Sequence, residues 1–291
     1  MNKIKSITRH ILTDDHPETP VLRTYELRDA KGNILEEIYY HPDGTIEQKT
    51  IRTVNEEGQL LEEKQFTEGD TPDQITSYSL NSEGKIQTKT ITYRNGSASI
   101  TSYDYDLANH SVTMTTLDDK GRFEGKVFQR LDAEGHVLEE IRHGENEVLE
   151  VHQQMSYNDE GRPVSHQIDV PNQPTQKQFY DYFLNEQGLL HEVEIFDEAE
   201  EVLRADTIEY DTHGNRTRYV MEDIAQGSML EETWVYDDQQ RIIKNTKQRG
   251  GGMLLESSEF NFGDHGLVTQ ITVSRPTGQQ VDRFEYTFFE D

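Results

Sequence analysis

Large apolar side chains stand on alternate positions of this chain, and the alternation restarts about every 26 residues. Four places before a recurrent glycine stand Val54, Leu80, Leu131, Tyr157, Leu184, Tyr210 and Phe262. Six places before it stand Tyr78, Met155, Tyr182, Ile208 and Phe260. The column between them is mostly polar: Thr53, Ser79, Arg130, Ser156, Glu209 and Asn261, with Phe183 and Val235 as exceptions. Period two puts both apolar columns on one face of a β-strand and the polar column on the other. An aliphatic residue follows two places after most anchors, as at Ile34, Leu60, Ile86, Val137, Leu190, Ile242 and Val268.

The anchors fall at 32, 58, 84, 109, 135, 161, 188, 214, 240 and 266, so the period is 25–27 residues. Eight of them are glycine; the others are Asn109 and Gln240. Asparagine tolerates the left-handed backbone and glutamine does so poorly, so the turn at Gln240 is expected to differ in type. A second turn signal falls midway between anchors, as at His41-Pro42-Asp43-Gly44, Asn95-Gly96, Asp118–Gly121, Pro171–Pro174, Gly250–Gly252 and Pro276-Thr277-Gly278. Each unit therefore holds two strands and two turns. No stretch keeps a helical spacing; the best candidate, Glu198–Leu203, falls on a between-anchor turn.

The expected fold is all-β, an antiparallel meander of about 22 strands in 26-residue two-strand units. A sheet this long is expected to roll or spiral, because open sheets rarely exceed ~10 strands. The chain reads as a single array over 1–291. Residues 1–20 form an N-terminal capping strand and turn, 21–278 the ten repeats, and 279–291 a C-terminal capping strand. The terminal strands, around Ile4–Leu12 and Phe284–Phe289, are potential edges through which a dimer is expected to form.

Composition narrows the function. Of 291 residues only 32% are hydrophobic, which predicts a thin core, and the net charge is −28. Such a surface disfavours nucleic acid and favours a protein partner with a basic face. There is no cysteine, hence no disulfide or thiolate metal site. No run of 18 apolar residues predicts a membrane span. The start, Met1–His10, is basic but lacks the apolar stretch of a secretory signal, which points to the cytoplasm, or to export if a leader has been removed.

No cofactor or metal site is expected. None of the 11 histidines pairs with another at i, i+2 or i, i+4, and His136, His143, His213 and His265 read as turn or strand-flanking residues. The acid clusters read as a solvated face, and the Asp or Asn three places before the anchors, all but the last, reads as a residue bonding its own turn backbone. The chain is therefore expected to be a non-enzymatic scaffold for protein–protein interaction. The alternative is a carbohydrate-binding module that uses the aromatic stripe, with Tyr182, Tyr210, Trp234 and Tyr236 as its binding residues.

Tyr210-Asp211-Thr212-His213-Gly214-Asn215-Arg216 resembles the tyrosine–aspartate motif of the RHS-type repeat proteins of bacteria. Tyr236-Asp237-Asp238-Gln239-Gln240-Arg241-Ile242 and Tyr157-Asn158-Asp159-Glu160-Gly161-Arg162 look like further copies, and the full Tyr-Asp pair stands at three anchors. This resemblance implies an extended, spiralling β array with a structural or binding role. It does not carry over the toxin-enclosing shell of large members, because the unit here is longer and the repeats are few. Ile38-Tyr39-Tyr40-His41-Pro42-Asp43-Gly44 is similar, more weakly, to a MORN-type repeat.

Overall fold

The computed structural model describes residues 3–13, 16–263 and 265–290. Among these residues twenty-two strands follow one another. The first eleven are β1 (Ile4–Thr13), β2 (His16–Arg28), β3 (Ile34–Tyr40), β4 (Ile46–Val54), β5 (Leu60–Phe66), β6 (Gln74–Leu80), β7 (Ile86–Tyr93), β8 (Ala98–Asp106), β9 (Ser111–Asp118), β10 (Phe123–Leu131) and β11 (Val137–His143). The rest are β12 (Leu149–Tyr157), β13 (Pro163–Asp169), β14 (Gln176–Leu184), β15 (Leu190–Phe196), β16 (Val202–Tyr210), β17 (Arg216–Asp223), β18 (Ser228–Tyr236), β19 (Ile242–Arg249), β20 (Met253–Phe262), β21 (Val268–Arg275) and β22 (Gly278–Phe288). Among the described residues the sole helical element is one 3-10 turn at Glu145–Glu147. Glu198–Leu203 is a turn running into β16.

Neighbours in sequence pair antiparallel, from β2–β3 to β12–β13 and from β14–β15 to β21–β22. The all-β meander expected from the repeat is the fold. The terminal strands correct the expectation of free edges. β1 pairs with β2 on one side and β22 on the other, and β22 also pairs with β21. Phe289 N donates to Lys3 O at 3.0 Å, the hydroxyls of Ser6 and Thr287 lie 2.6 Å apart, and Arg9 Nη2 donates to Asp282 Oδ2 at 2.8 Å. The backbone groups that would have recruited a second copy are already bonded, so the dimer expected through them loses its edges.

Contacts divide the chain into two compact units. One contains residues 23–177 with the outer ends of the chain, including β3–β13; the other contains 9–22 and 178–285, including β15–β21.

Most anchor turns are built alike, and the two residues around Gly58 show why. Gly58 N donates to Asn55 O and Asn55 N to Gln59 O, both at 3.0 Å. This is a three-residue hairpin loop, a type I turn closed by a left-handed residue that bulges the next strand. The pairing slips there, Val54 opposing Leu60. A side chain at φ +87° would be strained, and a Cβ on Gly58 would also sit 3.2 Å from the Asn33 amide of the preceding turn. Gln240 makes the same bonds from φ 64°, to Asp237 O at 3.0 Å, so its turn does not differ in type. The turn that does differ is the one around Asn109. There Asp106 pairs directly with Ser111, no bulge forms, and His110 takes the positive φ in place of Asn109.

The core is thin. Among the described residues only Leu12, Ile38, Phe66, Val112 and Val273 are buried hydrophobics, and none of their side chains is fully enclosed. Along β8 the burial alternates, with Tyr103 and Tyr105 half-buried and Asp104 exposed, and the two tyrosine rings stack at 6.4 Å. The two apolar columns therefore do share a face. Further from the anchor turns that face becomes polar: Thr50, Thr76, Glu140, Ser258 and Asp282 are all buried.

Candidate functional site

The chemistry-bearing side chains lie on the repeated turns and on the aromatic face behind them. At each regular anchor turn except the last, where Gly263 takes the place, the Asp or Asn carboxyl or amide oxygen accepts two backbone N–H groups. Asp211 Oδ1 accepts from His213 N at 2.8 Å and Asn215 N at 2.9 Å; Asn158 Oδ1 accepts from Glu160 N and Arg162 N. These donors favour the charged form. With the Asn215 amide contributing most, they hold the Asp211 carboxyl below its ordinary pKa. Asp237 is held down likewise by the Arg241 backbone and guanidinium.

Tyrosine at the fourth place before the anchor has a specific task. Tyr105 Oη donates to Ile86 O at 3.0 Å, Tyr157 to Val137 O at 3.0 Å, Tyr210 to Leu190 O at 2.8 Å and Tyr236 to Arg216 O at 2.8 Å. Each hydroxyl thus satisfies the carbonyl of the first strand residue after the preceding anchor. The tyrosine of the Tyr-Asp pair ties one repeat to the one before, while the aspartate ties its own turn.

Cations cover the aromatic rings. Lys85 Nζ lies 5.5 Å from the Tyr105 centroid, the Arg241 guanidinium 4.3 Å from Phe262, and the Arg216 guanidinium 4.1 Å from Trp234 and 5.8 Å from Tyr219. Of the four residues expected to bind sugar, Tyr182 is half-buried on β14, Tyr210 and Tyr236 have engaged hydroxyls, and one face of Trp234 is stacked by Arg216. Trp234 and Tyr236 meet at Arg216; Tyr182 and Tyr210 stand on separate strands, β14 and β16. The chain pattern gave no role to Arg216, though it occupies a slot that is aliphatic in most repeats.

The polar part of the same face is knitted across strands. Buried Glu140 accepts from Gln129 Nε2 at 2.5 Å, Arg142 Nε at 2.5 Å and Gln153 Nε2 at 3.0 Å. Burial alone would raise its pKa, but these donors outweigh burial and hold it below the ordinary value. Arg52 bridges Glu63 at 2.9 Å and Glu37 at 3.5 Å. Arg204 binds Asp206 at 2.6 Å, and Tyr219 Oη donates to Asp206 Oδ2 at 3.0 Å. His166, beside Gln153, is pushed down by burial.

His213 and His265 are exposed turn residues, as expected. His136 is more engaged: its ring stacks on Tyr157 at 4.8 Å and its Nδ1 lies 2.8 Å from Asp132 Oδ2. Asp132, Glu134 and His136 bring their ligand-type atoms within 4.8 Å of one another, an approach the sequence reading missed because the turn folds positions i, i+2 and i+4 together. Asp132 serves its turn there, Oδ1 accepting from Glu134 N and His136 N.

Beyond the turn backbones, acids project. In the first unit Lys31 stands at the tip of the first regular turn, and Glu57, Glu83, Glu134 and Glu160 occupy that position in the regular turns that follow; all five are exposed. In the second unit that position holds Gln187, His213, Gln239 and His265.

No known family matches the chain, and no curated protein is similar to it in sequence. Solved structures do resemble it. The TcdB2–TccC3 structure is 14% identical over 94% of this chain and 19% of that one, with a TM-score of 0.37. A Photorhabdus luminescens Tc holotoxin pore is 12% identical over 98% of this chain and 19% of that one, with a TM-score of 0.38. A porin-like protein from Bacteroides uniformis is 9% identical, covers 98% of both chains and has a TM-score of 0.30. This chain spans less than a fifth of the toxin chains it matches.

Proposed function

We propose that the protein is a non-enzymatic β-repeat scaffold whose acidic turn rim binds a protein partner with a basic surface. One observation carries this reading: Glu57, Glu83, Glu134 and Glu160 recur at one tip position and are exposed, while the Asp or Asn of the same turns is spent on the backbone. The net charge of −28 gives the rim long-range attraction for cationic surfaces. The sugar-binding alternative has less support, because Arg216 covers a face of Trp234 on which a sugar ring would stack.

The test uses the full chain as bait, with a partner retained at low salt. Salt should release the partner as the screening length falls from about 10 Å at 0.1 M towards 3 Å at 1 M. The combined Glu57→Lys, Glu83→Lys, Glu134→Lys and Glu160→Lys variant should lose it while keeping its β circular dichroism. Retention by that variant at unchanged salt resistance would refute the reading.

A further inference from the structure

The turns facing away from the anchors follow the three-residue pattern at 41–45, 93–97 and 118–122. Between β5 and β6 the chain instead makes a long loop, Thr67–Asp73, and holds it firmly. Asp73 Oδ2 accepts from both Thr67 N at 2.6 Å and Thr67 Oγ1 at 2.7 Å. Arg94 reaches across from the next turn to the carbonyls of Glu68 and Thr71, at 3.0 and 2.9 Å, and to the Asp73 carboxylate at 3.1 Å. A long loop pinned by this many bonds is a built feature of the surface.

Between this loop and the 41–45 turn lies an open cleft of about 800 Å³. Its floor is Phe66, buried at 9% exposure, and Ile46, which is 45% exposed. Its walls carry Glu47, Glu68 and Asp70, with Asp43 on the adjoining turn. Two nearby cations are engaged, Lys49 with Glu36 at 2.7 Å and Arg23 with Glu47 at 2.9 Å. Asp43 is bonded within its turn, to Thr45 N at 2.9 Å and Thr45 Oγ1 at 2.6 Å. The lining thus carries three carboxylates (Glu47, Glu68 and Asp70) and one lysine, the ion-paired Lys49, around an apolar floor open to water.

We infer that this cleft between the Thr67–Asp73 loop and the 41–45 turn is the docking site for an Arg- or Lys-bearing amphipathic segment of the basic partner. The segment's apolar side chains and the alkyl stems of its cations lie on Ile46 and Phe66, and its charged heads meet Glu68 and Asp70. Lysine and arginine favour such a two-part surface because the stem is apolar and only the tip is charged. The inference rests on the basic-partner reading and locates its contact.

The experiment uses the intact chain and a fluorescein-labelled twelve-residue peptide of alternating leucine and lysine, read by anisotropy at low and at 0.3 M salt. A Ser-Lys peptide of equal charge and a Leu-Glu peptide are the controls. Glu68→Lys with Asp70→Lys should weaken the Leu-Lys peptide at least tenfold. The same charge change at Asp119 and Glu145 should weaken it less than threefold. Ile46→Ser should weaken the Leu-Lys peptide and leave the Ser-Lys peptide unchanged, a difference that diffuse attraction cannot produce. Equal losses from the two charge-reversed pairs would overturn the cleft and leave the basic-partner reading standing. No binding of either lysine peptide at low salt would overturn both.

Discussion

The hydroxyl of Tyr210 donates to the carbonyl of Leu190 across 2.8 Å, linking positions twenty residues apart in consecutive repeats. The carbonyl belongs to the bulged strand of the previous hairpin, next to the extra residue His191, where the ladder slips and backbone pairing is imperfect. A buried or half-buried carbonyl without a donor is costly, and the tyrosine supplies the donor while its ring fills the apolar column.

Tyr210→Phe should therefore keep the ring packing and lose the bond, lowering stability by about 1 kcal/mol in urea unfolding. Tyr236→Phe should behave alike, through Arg216 O. An unchanged urea midpoint in both variants would show that water replaces the hydroxyl at no cost.

Glu200 closes its turn from φ 62°, donating from N to Asp197 O at 3.2 Å, where most other turns place glycine or asparagine. The left-handed backbone costs a non-glycine residue about 1–2 kcal/mol, part of which the flexibility of glycine gives back. Glu200→Gly should raise the unfolding free energy by roughly 0.5–1 kcal/mol. Gly214→Ala, at φ +86°, should lower it. Calorimetry of the two variants should move the melting temperature in opposite directions.

The turn aspartates give the fold an acid limit. Asp211 and Asp237 have folded pKa values below the ordinary value of about 3.9. A depressed carboxyl contributes stability that is complete above its unfolded pKa and is lost as pH falls through the folded one. Thermal stability should drop below about pH 4 for this reason. In Asp211→Asn with Asp237→Asn the amide oxygen can still accept both N–H groups, as Asn158 does, so the drop between pH 6 and pH 3 should be shallower than in the parent. A drop of the same depth would place the acid limit elsewhere.

Arg9 supplies the cation for Asp282, which is 5% exposed. Arg9→Met would leave that carboxylate without its charge partner and should cost about 2 kcal/mol or more, since stranding one member of a buried pair is worse than lacking both. The double variant Arg9→Met with Asp282→Leu should recover much of the loss. Urea unfolding of the three variants measures the coupling.

Trp234 is the sole tryptophan and reports on its own cover. Removing the guanidinium 4.1 Å above it in Arg216→Ser should shift its emission to the red and admit acrylamide quenching. An unshifted spectrum would mean that neighbouring side chains shield the ring.

The string of residues by itself determined the strands, their turns and the shared apolar face, because these depend on local rules. Period-two alternation decides which side chains face together, and a glycine or Asx residue decides where the chain reverses, whatever lies further away. Even the tyrosine–aspartate pair was visible as a recurring motif. Its division of labour was not, because the Tyr210 acceptor lies twenty residues back and the Asp211 donors lie just ahead. The tertiary structure alone decided that β1 bonds to β22, that Arg216 caps Trp234, that His110 rather than Asn109 takes the left-handed place, and that the Thr67–Asp73 loop stands beside a cleft. Each of these depends on register or on contacts between segments far apart in sequence, and neither periodicity nor local propensity carries that information.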